Sequence, residues 1–221
     1  MKQFPPLHPT DAALMQRGLA QAGFYKGSFM GLPGAKTRDA YRKYIASITD
    51  VRQPPESGGT NEQMRQLFIQ LARAEVGVTE SGGNNRGARV QDYQDGADWL
   101  DGTGWAWCAA FICFIFDEMD KQVKLPFSKP EGAGAFWFED WGNQQNLKVL
   151  SGGSKVKAGD IVIFKFSHIG IATEDELPNK TFLSVEGNTS GAGSRDGDGV
   201  YEKQRPRTGR SGVRSIVRPF P

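Results

Sequence analysis

Two segments in the middle of the chain have the hydrophobic patterns of helices. Between Met64 and Ala72 the apolar residues recur every three or four positions, which predicts an amphipathic helix capped by Asn61. Residues 109–116 form an uninterrupted apolar run, and a helix that is apolar on every side is a buried one. Because this run follows a loop rich in Gly and Asp, we expect a core helix whose first turn contains Cys108.

The last third of the chain consists of short apolar segments separated by turn residues. These segments are residues 161–166, 168–173, 182–186, 200–202 and 213–217. Short strands with turns between them predict an antiparallel sheet. Since the helical patterns come first and the strands follow, the predicted fold class is α+β, with N-terminal helices packed on an antiparallel β-sheet.

Residues from about 10 to 48 carry a separate helical pattern. One helix is capped by Thr10 or Asp11, and a second begins near Thr37. The segment that follows contains Pro-Pro and Ser-Gly-Gly, a composition typical of a linker. The predicted organisation is a small helical domain over residues 1–50, a linker over 51–60 and an α+β domain over 61–221.

Size and charge exclude several classes of protein. The chain has 221 residues and a formal net charge of +2, which is too weak to indicate a nucleic-acid-binding protein. Its longest apolar run is far shorter than a membrane span, so membrane insertion is not expected. The N-terminal segment lacks the apolar core of a signal peptide, which predicts synthesis in the cytoplasm and delivery to any external target by other means.

Cys108 is the candidate nucleophile. The unpaired N–H groups and the positive end of a helix favour the thiolate, which is the reactive form of cysteine. A lone cysteine next to a core helix is more often a packing residue, so the assignment needs a base elsewhere in the chain. Cys113 lies roughly 8 Å further along the helix, beyond disulfide reach, and we expect it in the core.

The chain contains only two histidines, His8 in a Pro-rich N-terminal arm and His168 at the start of a predicted strand. His168 is therefore the candidate base for Cys108. Glu186 and Asn188 share one face if their strand continues, and either can accept a hydrogen bond from His168 and leave its other ring nitrogen facing Cys108. A nucleophile, a histidine and a polar acceptor follow in this order in papain-like hydrolases.

Four aspartates, Asp92, Asp95, Asp98 and Asp101, recur every third residue before the cysteine loop. Carboxylate oxygens are suitable calcium ligands, but the segment lacks the alternate spacing and the closing glutamate of an EF-hand. A solvated acidic loop is the favoured interpretation. The chain also has neither a Cys-x-x-Cys pair nor a His/Cys cluster, so no metal and no cofactor are predicted.

Four short motifs follow one another through the region of these candidate residues. They are Trp107-Cys108-Ala109-Ala110-Phe111, Ala158-Gly159-Asp160-Ile161-Val162, His168-Ile169-Gly170-Ile171 and Val185-Glu186-Gly187-Asn188-Thr189. Over about residues 62–218 the chain resembles the CHAP family of cysteine amidohydrolases and peptidases, and residues 193–200 are similar to its phage members. The resemblance implies a papain-like fold that hydrolyses amide bonds of peptidoglycan, with Cys108 as nucleophile, His168 as base, and Glu186 and Asn188 on the remaining polar positions.

The N-terminal pattern carries a second set of spaced residues. They are Leu14, Gln16, Leu19, Gly23, Gly31, Gly34, Thr37, Ala40 and Tyr41. They resemble the peptidoglycan-binding type 1 domain, although Met30 stands where that family usually has an acidic residue. The resemblance implies a three-helix module that binds the bacterial wall. Residues 1–50 contain seven Lys/Arg and three Asp/Glu, a basic balance that suits an anionic envelope.

Together the two resemblances imply a bacteriophage endolysin or a related peptidoglycan hydrolase, acting as a monomer on bacterial peptidoglycan after release to the wall. Two other functions agree with the same sequence. One is a secreted antibacterial effector with the same chemistry, and the other is a catalytically inactive wall-binding or virion structural protein. The cleaved bond is either the muramoyl–alanine amide or a peptide bond of the stem or bridge.

Overall fold

The computed structural model describes residues 59–191 and 197–221, together with Ala20, Gly23 and Lys26. The chain divides into two units, Met1–Gln53 and Pro54–Pro221. In the first unit Ala20 is helical, and Gly23 forms a turn with φ of 82° in which its N–H donates to the Ala20 carbonyl at 3.0 Å. The other predictions for the N-terminal domain and the linker lie outside the described residues.

Four helices occur in the described part of the second unit. They are α1 (Asn61–Ala74), α2 (Ala88–Gln94), α3 (Cys108–Asp120) and α4 (Trp137–Gln144). The cap of α1 is Thr60 rather than the predicted Asn61, because Thr60 and Gln63 exchange hydrogen bonds in a capping box. Asn61 is instead the first helical residue. No helix of this described region is long and apolar enough to cross a membrane.

The helical patterns correspond to buried surfaces. α1 buries Met64, Phe68, Leu71 and Ala72, and only Leu67 of the predicted stripe is half-buried. α3 begins at Cys108 as predicted, and all residues from there to Phe116 are buried. The sequence run that is apolar on every side therefore forms the central helix of the core.

In the part of the chain that the structure describes, the sheet has six strands in the order β1-β6-β2-β3-β4-β5, and every neighbouring pair is antiparallel. The strands are β1 (Lys148–Ser151), β2 (Ile161–Phe164), β3 (His168–Ala172), β4 (Thr181–Thr189), β5 (Gly199–Pro206) and β6 (Val213–Arg218). The predicted α+β class is confirmed. β1 was not predicted, because its four residues are exposed or half-buried and carry a weak pattern; its pairing with β6 forms it.

Each face of the sheet carries its own apolar cluster. Residues of one face join the helices in the main core, in which α3 contacts α1, α2, β3 and β4. These residues include Ile161, Ile163, Ile169, Ile171 and Val185. Alternate residues of the same strands form the second cluster, which includes Val162, Phe164, Ala172, Phe182 and Ile216. Because both faces are covered, β2 and β3 are buried along their whole length.

Candidate active site

Cys108 is the first residue of α3 and is 9% exposed, at the point where the chain enters the helix from a loop. The first backbone hydrogen bond of the helix runs from the Phe111 N–H to the Trp107 carbonyl at 2.9 Å. The N–H groups of Cys108 and the two residues after it therefore precede the helical ladder. Backbone donors and the positive end of the helix lie beside the thiol.

Trp107 holds the entry to α3 in place. Its indole Nε1 donates to Glu80 Oε1 at 2.9 Å, and its ring stacks on Tyr93 with the centroids 5.2 Å apart. Its backbone N–H donates to the side-chain oxygen of Asn188 at 3.0 Å, in the amide orientation that satisfies both partners of Asn188. The residue before Cys108 is thus held through its ring, its indole nitrogen and its backbone.

His168 is the first residue of β3 and is fully buried. Its Nε2 lies 3.0 Å from Glu186 Oε2, and Cys108 is its second polar neighbour. Burial alone lowers the pKa of an imidazole, but hydrogen bonding and charge from Cys108 and Glu186 outweigh burial and raise the pKa of His168 to about 9. The imidazole is therefore protonated at neutral pH.

The contact of this imidazole with Glu186 is close but poorly aligned. Within the described residues neither Nδ1 nor Nε2 of His168 makes a hydrogen bond of good angle, although Nε2 lies only 3.0 Å from the Glu186 carboxylate. A distance of 3.0 Å between Nε2 and Oε2 places the two groups in direct contact. The ring is held by stacking against Phe164 and Phe166, at centroid distances of 6.1 and 5.7 Å.

Glu186 is fully buried in β4 and surrounded by donors. Its Oε1 accepts hydrogen bonds from Ser184 Oγ at 2.5 Å and Arg205 Nε at 2.8 Å, and its Oε2 accepts one from Arg205 Nη2 at 2.5 Å. Burial alone raises the pKa of a carboxyl, but the bonds from Arg205 and His168 bring the pKa of Glu186 below its usual value. An ionised carboxylate therefore faces a protonated imidazole.

Two glycines allow these groups to meet. A Cβ on Gly170 would lie 2.6 Å from Glu186 Cγ, so the space next to this glycine is filled by the glutamate side chain. A Cβ on Gly187 would lie 2.8 Å from Phe111 Cβ and 2.8 Å from the ring of Trp107. Both distances are shorter than van der Waals contact, so β4 approaches β3 and α3 this closely only with glycine at these positions.

Asn188 has a different place from Glu186. The pairing of β4 with β5 shifts register between Glu186 and Thr189, and Asn188 adopts a φ of 53°. Its amide bridges the Trp107 N–H and the Gly197 carbonyl, each at 3.0 Å. Strand alternation fails at this irregularity, so Asn188 does not follow Glu186 toward the imidazole. Of the two acceptors that the sequence leaves open, Glu186 is the one that lies against His168.

Arg205 and Glu80 are site residues that sequence reasoning missed. Arg205 belongs to β5, whose predicted segment ends three residues earlier, and continued alternation in that strand is the only signal for it. Glu80 precedes α2 in an irregular segment and meets Trp107 across 27 positions of sequence, so no local pattern indicates it.

Cys113 lies in the core, as the sequence predicts. Its Sγ donates to the Gly132 carbonyl at 3.5 Å, and burial together with the charge of Asp117 raises the pKa of its thiol. Cys113 therefore stays a neutral thiol, which leaves Cys108 as the candidate nucleophile.

Two of the four aspartates before the cysteine loop accept side-chain hydrogen bonds. Asp92 accepts a hydrogen bond from Arg89 at 2.9 Å, and Asp95 accepts one from Gln91 at 2.6 Å. Among the residues that the structure describes, no group of three or more His, Cys, Asp or Glu side chains could hold a metal ion.

The described site is a cysteine at a helix start, a buried imidazolium and an ionised carboxylate in contact, with an arginine behind the carboxylate. A cysteine, an imidazolium and a carboxylate in this order can supply a thiolate nucleophile to one atom of a bond and a proton to the other atom. No protein-family model and no curated protein matches the chain.

Proposed function

We propose that this protein is a cysteine-dependent peptidoglycan hydrolase, with a papain-like catalytic domain, that cleaves an amide bond of the stem peptide or cross-link. The observation that carries the proposal is the buried His168 between Cys108 and Glu186. Burying an imidazole and a carboxylate costs desolvation, and a core needs neither group for packing. Perturbed ionisable groups of this kind concentrate at catalytic sites.

The substrate class is supported by the sequence motifs. The segments around Cys108, His168 and Glu186 resemble the CHAP family, and the N-terminal pattern resembles a wall-binding module. The basic balance of residues 1–50 agrees with an anionic polymer as ligand. A role as a bacteriophage endolysin, released from the cytoplasm to the wall, accounts for both parts of the chain.

In the first step the Cys108 thiolate attacks the carbonyl carbon of the scissile amide. The new S–C bond forms as the carbonyl π electrons move to oxygen, where the backbone N–H of Cys108 at the start of α3 can donate to the oxyanion. The imidazolium of His168 then gives its proton to the amide nitrogen as the C–N bond breaks. The amine leaves, and a thioester and a neutral imidazole remain.

In the second step His168 acts as a base. The neutral imidazole takes a proton from water as the water oxygen attacks the thioester carbonyl, and the S–C bond breaks to release the carboxylic acid and the thiolate. Since Nε2 of His168 faces Glu186, Nδ1 is the nitrogen available for both proton transfers. Glu186 stabilises the imidazolium in each half of the reaction without itself changing protonation.

The proposal is tested by the lysis of purified cell walls with Cys108→Ala and Cys113→Ala. Cys108→Ala should lose about 10³-fold or more of the activity, because it removes the nucleophile. Cys113→Ala is the matched control, since it removes a buried cysteine from the same helix outside the site. It should keep its activity at temperatures where it is folded.

Equal clearing by wild type and Cys108→Ala would refute the thiol mechanism. Wall binding without clearing by the wild type would instead favour the binding or structural protein. Mass spectrometry of the digested fragments identifies the bond: a new N-terminus at L-alanine on free peptides indicates amidase activity, and a cut within the stem or bridge indicates endopeptidase activity.

A further inference from the structure

Arg205 is a buried arginine that the proposed mechanism does not use. It lies in β5, is 8% exposed, and forms a two-point contact with Glu186 through Nε at 2.8 Å and Nη2 at 2.5 Å. Charge-assisted bidentate pairs of this kind combine strength with a fixed geometry. The carboxylate that faces His168 is therefore held from behind by a second strand.

The guanidinium of Arg205 also shares its apolar surroundings with the imidazole. Its carbon lies 5.4 Å from the ring centroid of Phe164 and 5.5 Å from that of Phe166. The same two rings stack against His168. One aromatic pair thus places both cationic groups on either side of Glu186, and the guanidinium gains cation–π stabilisation there.

We propose that Arg205 is a positioning residue for the reaction: it keeps Glu186 ionised and aimed at His168, so that the imidazolium is present when the amide is attacked. This inference rests on the proposed function, since it assigns Arg205 a role in that same site. The substrate does not need to reach Arg205, because the effect passes through Glu186.

The polar and charged groups around Glu186 determine what removal of Arg205 does. Facing the carboxylate are His168 from β3, Ser184 from β4 and Arg205 from β5, and Cys108 from α3 acts through His168. Burial disfavours the charged form of Glu186, and the hydrogen bond from Arg205 is the largest contact that offsets this effect. A variant without Arg205 lacks that contact. The pKa of Glu186 then rises. Any activity that needs the ionised carboxylate is therefore lost at a higher pH on the acid side of its profile.

The test follows the ionisation of Glu186 by NMR through the ring nitrogens of His168. His8→Ala leaves His168 as the sole histidine of the chain, so its signals need no further assignment. Protonation of Glu186 at low pH should produce a step in the ring-nitrogen chemical shifts of His168. In the Arg205→Met variant the midpoint of this low-pH step should lie about one pH unit or more higher. The acid limb of wall hydrolysis should move to higher pH as well. Arg205→Lys keeps the positive charge but cannot make the two-point contact, so its shift should be smaller.

Arg218→Met is the matched control. Arg218 forms the same two-point contact with a buried carboxylate, Asp160, at 2.7 and 2.8 Å, but that pair lies outside the candidate site. It should lower stability without moving the His168 step. Arg205→Lys also covers the case in which Arg205→Met does not fold.

An unchanged low-pH step in a folded Arg205 variant would overturn the positioning role, whatever the wall assay shows. A shift of equal size in Arg218→Met would overturn it too, because the effect would then be a general loss of stability. The NMR readout needs no peptidoglycan. If the wild type fails to cleave walls while the step still moves in Arg205→Met, the proposed function fails and the positioning of Glu186 by Arg205 stands.

Discussion

At the scale of single residues, His168 sets the pH range over which the candidate site is charged. Its neighbours Cys108 and Glu186 raise its pKa to about 9, against the lowering effect of burial. The imidazolium is therefore the main form at neutral pH and is lost as the pH rises through about 9. An alkaline limb near pH 9 is expected in the activity profile.

Glu186→Gln should move this alkaline limb downward by about one pH unit, because the variant loses the negative charge beside the imidazolium while keeping its shape. The limb should stay above the value for an unperturbed histidine, since Cys108 still supports the charged ring. The measurement is the pH dependence of hydrolysis of soluble muropeptides between pH 6 and 10.

Glu139→Gln is the matched control for this substitution. Glu139 also accepts hydrogen bonds from an arginine and a serine, Arg214 at 2.8 Å and Ser215 at 2.5 Å, but it contacts neither Cys108 nor His168. Its alkaline limb should match that of the wild type. An unmoved limb in Glu186→Gln would mean that Glu186 does not support the imidazolium.

At the scale of secondary-structure elements, the end of β4 positions the start of α3. Gly187 lets the strand lie against Phe111 and Trp107, and the next residue, Asn188, binds the backbone N–H of Trp107. The register shift at this point turns Asn188 away from the direction of Glu186. One strand thus supplies the acceptor for His168 and, two residues later, the clamp on the helix that carries Cys108.

Asn188→Ala should therefore lower the turnover rate without moving the alkaline limb. A displaced nucleophile of this kind is expected to cost about 10- to 100-fold, while the contact between Glu186 and His168 stays intact. The assay is the full pH profile on soluble muropeptides. Asn146→Ala is the control, because Asn146 is exposed and has a similar φ of 55° outside the site.

A shift of the alkaline limb in Asn188→Ala would show that Asn188 supports the imidazolium, against the geometry described above. A full rate in the variant would show that the bond to Trp107 is not needed to place Cys108. Either result would contradict the proposal that Asn188 acts by holding the start of α3.

At the scale of the whole molecule, the described helices and sheet enclose a core of their own. Among the described residues, the main apolar cluster runs from Met64 to Phe220 and belongs to the second unit of the chain. Residues 1–50 hold a net +4 of the formal charge, and the remaining residues hold −2. We therefore expect the wall affinity and the chemistry to be separable.

Removal of residues 1–58 should weaken binding to purified walls and spare the hydrolysis of soluble muropeptides. The binding of the full chain should also weaken with added salt, because interactions between exposed charges are screened. Co-sedimentation with walls and turnover of soluble fragments measure the two properties on the same samples. Loss of turnover on soluble fragments would count against the division.

Much of the fold follows from local pattern. Helix periodicity predicts α1, the uninterrupted apolar run predicts α3 with Cys108 in its first turn, and short apolar segments between turn residues locate five of the six strands in the described residues. β1 is not predicted from the sequence, because its four residues are exposed or half-buried and carry a weak pattern. Its pairing with β6 forms the strand. Thr60 caps α1 instead of the predicted Asn61, because the capping box depends on two side chains, those of Thr60 and Gln63.

By itself the sequence determined the candidate nucleophile and base, because one cysteine precedes an apolar helix and one histidine opens a strand of the same domain. Only the tertiary structure decided between Glu186 and Asn188, and only it brought Arg205 and Glu80 to the site. The physical reason is that alternation describes a regular strand, whereas the register shift in β4 rotates Asn188 away from Glu186. The order of strands, which no local pattern contains, then sets β5 and its arginine beside β4.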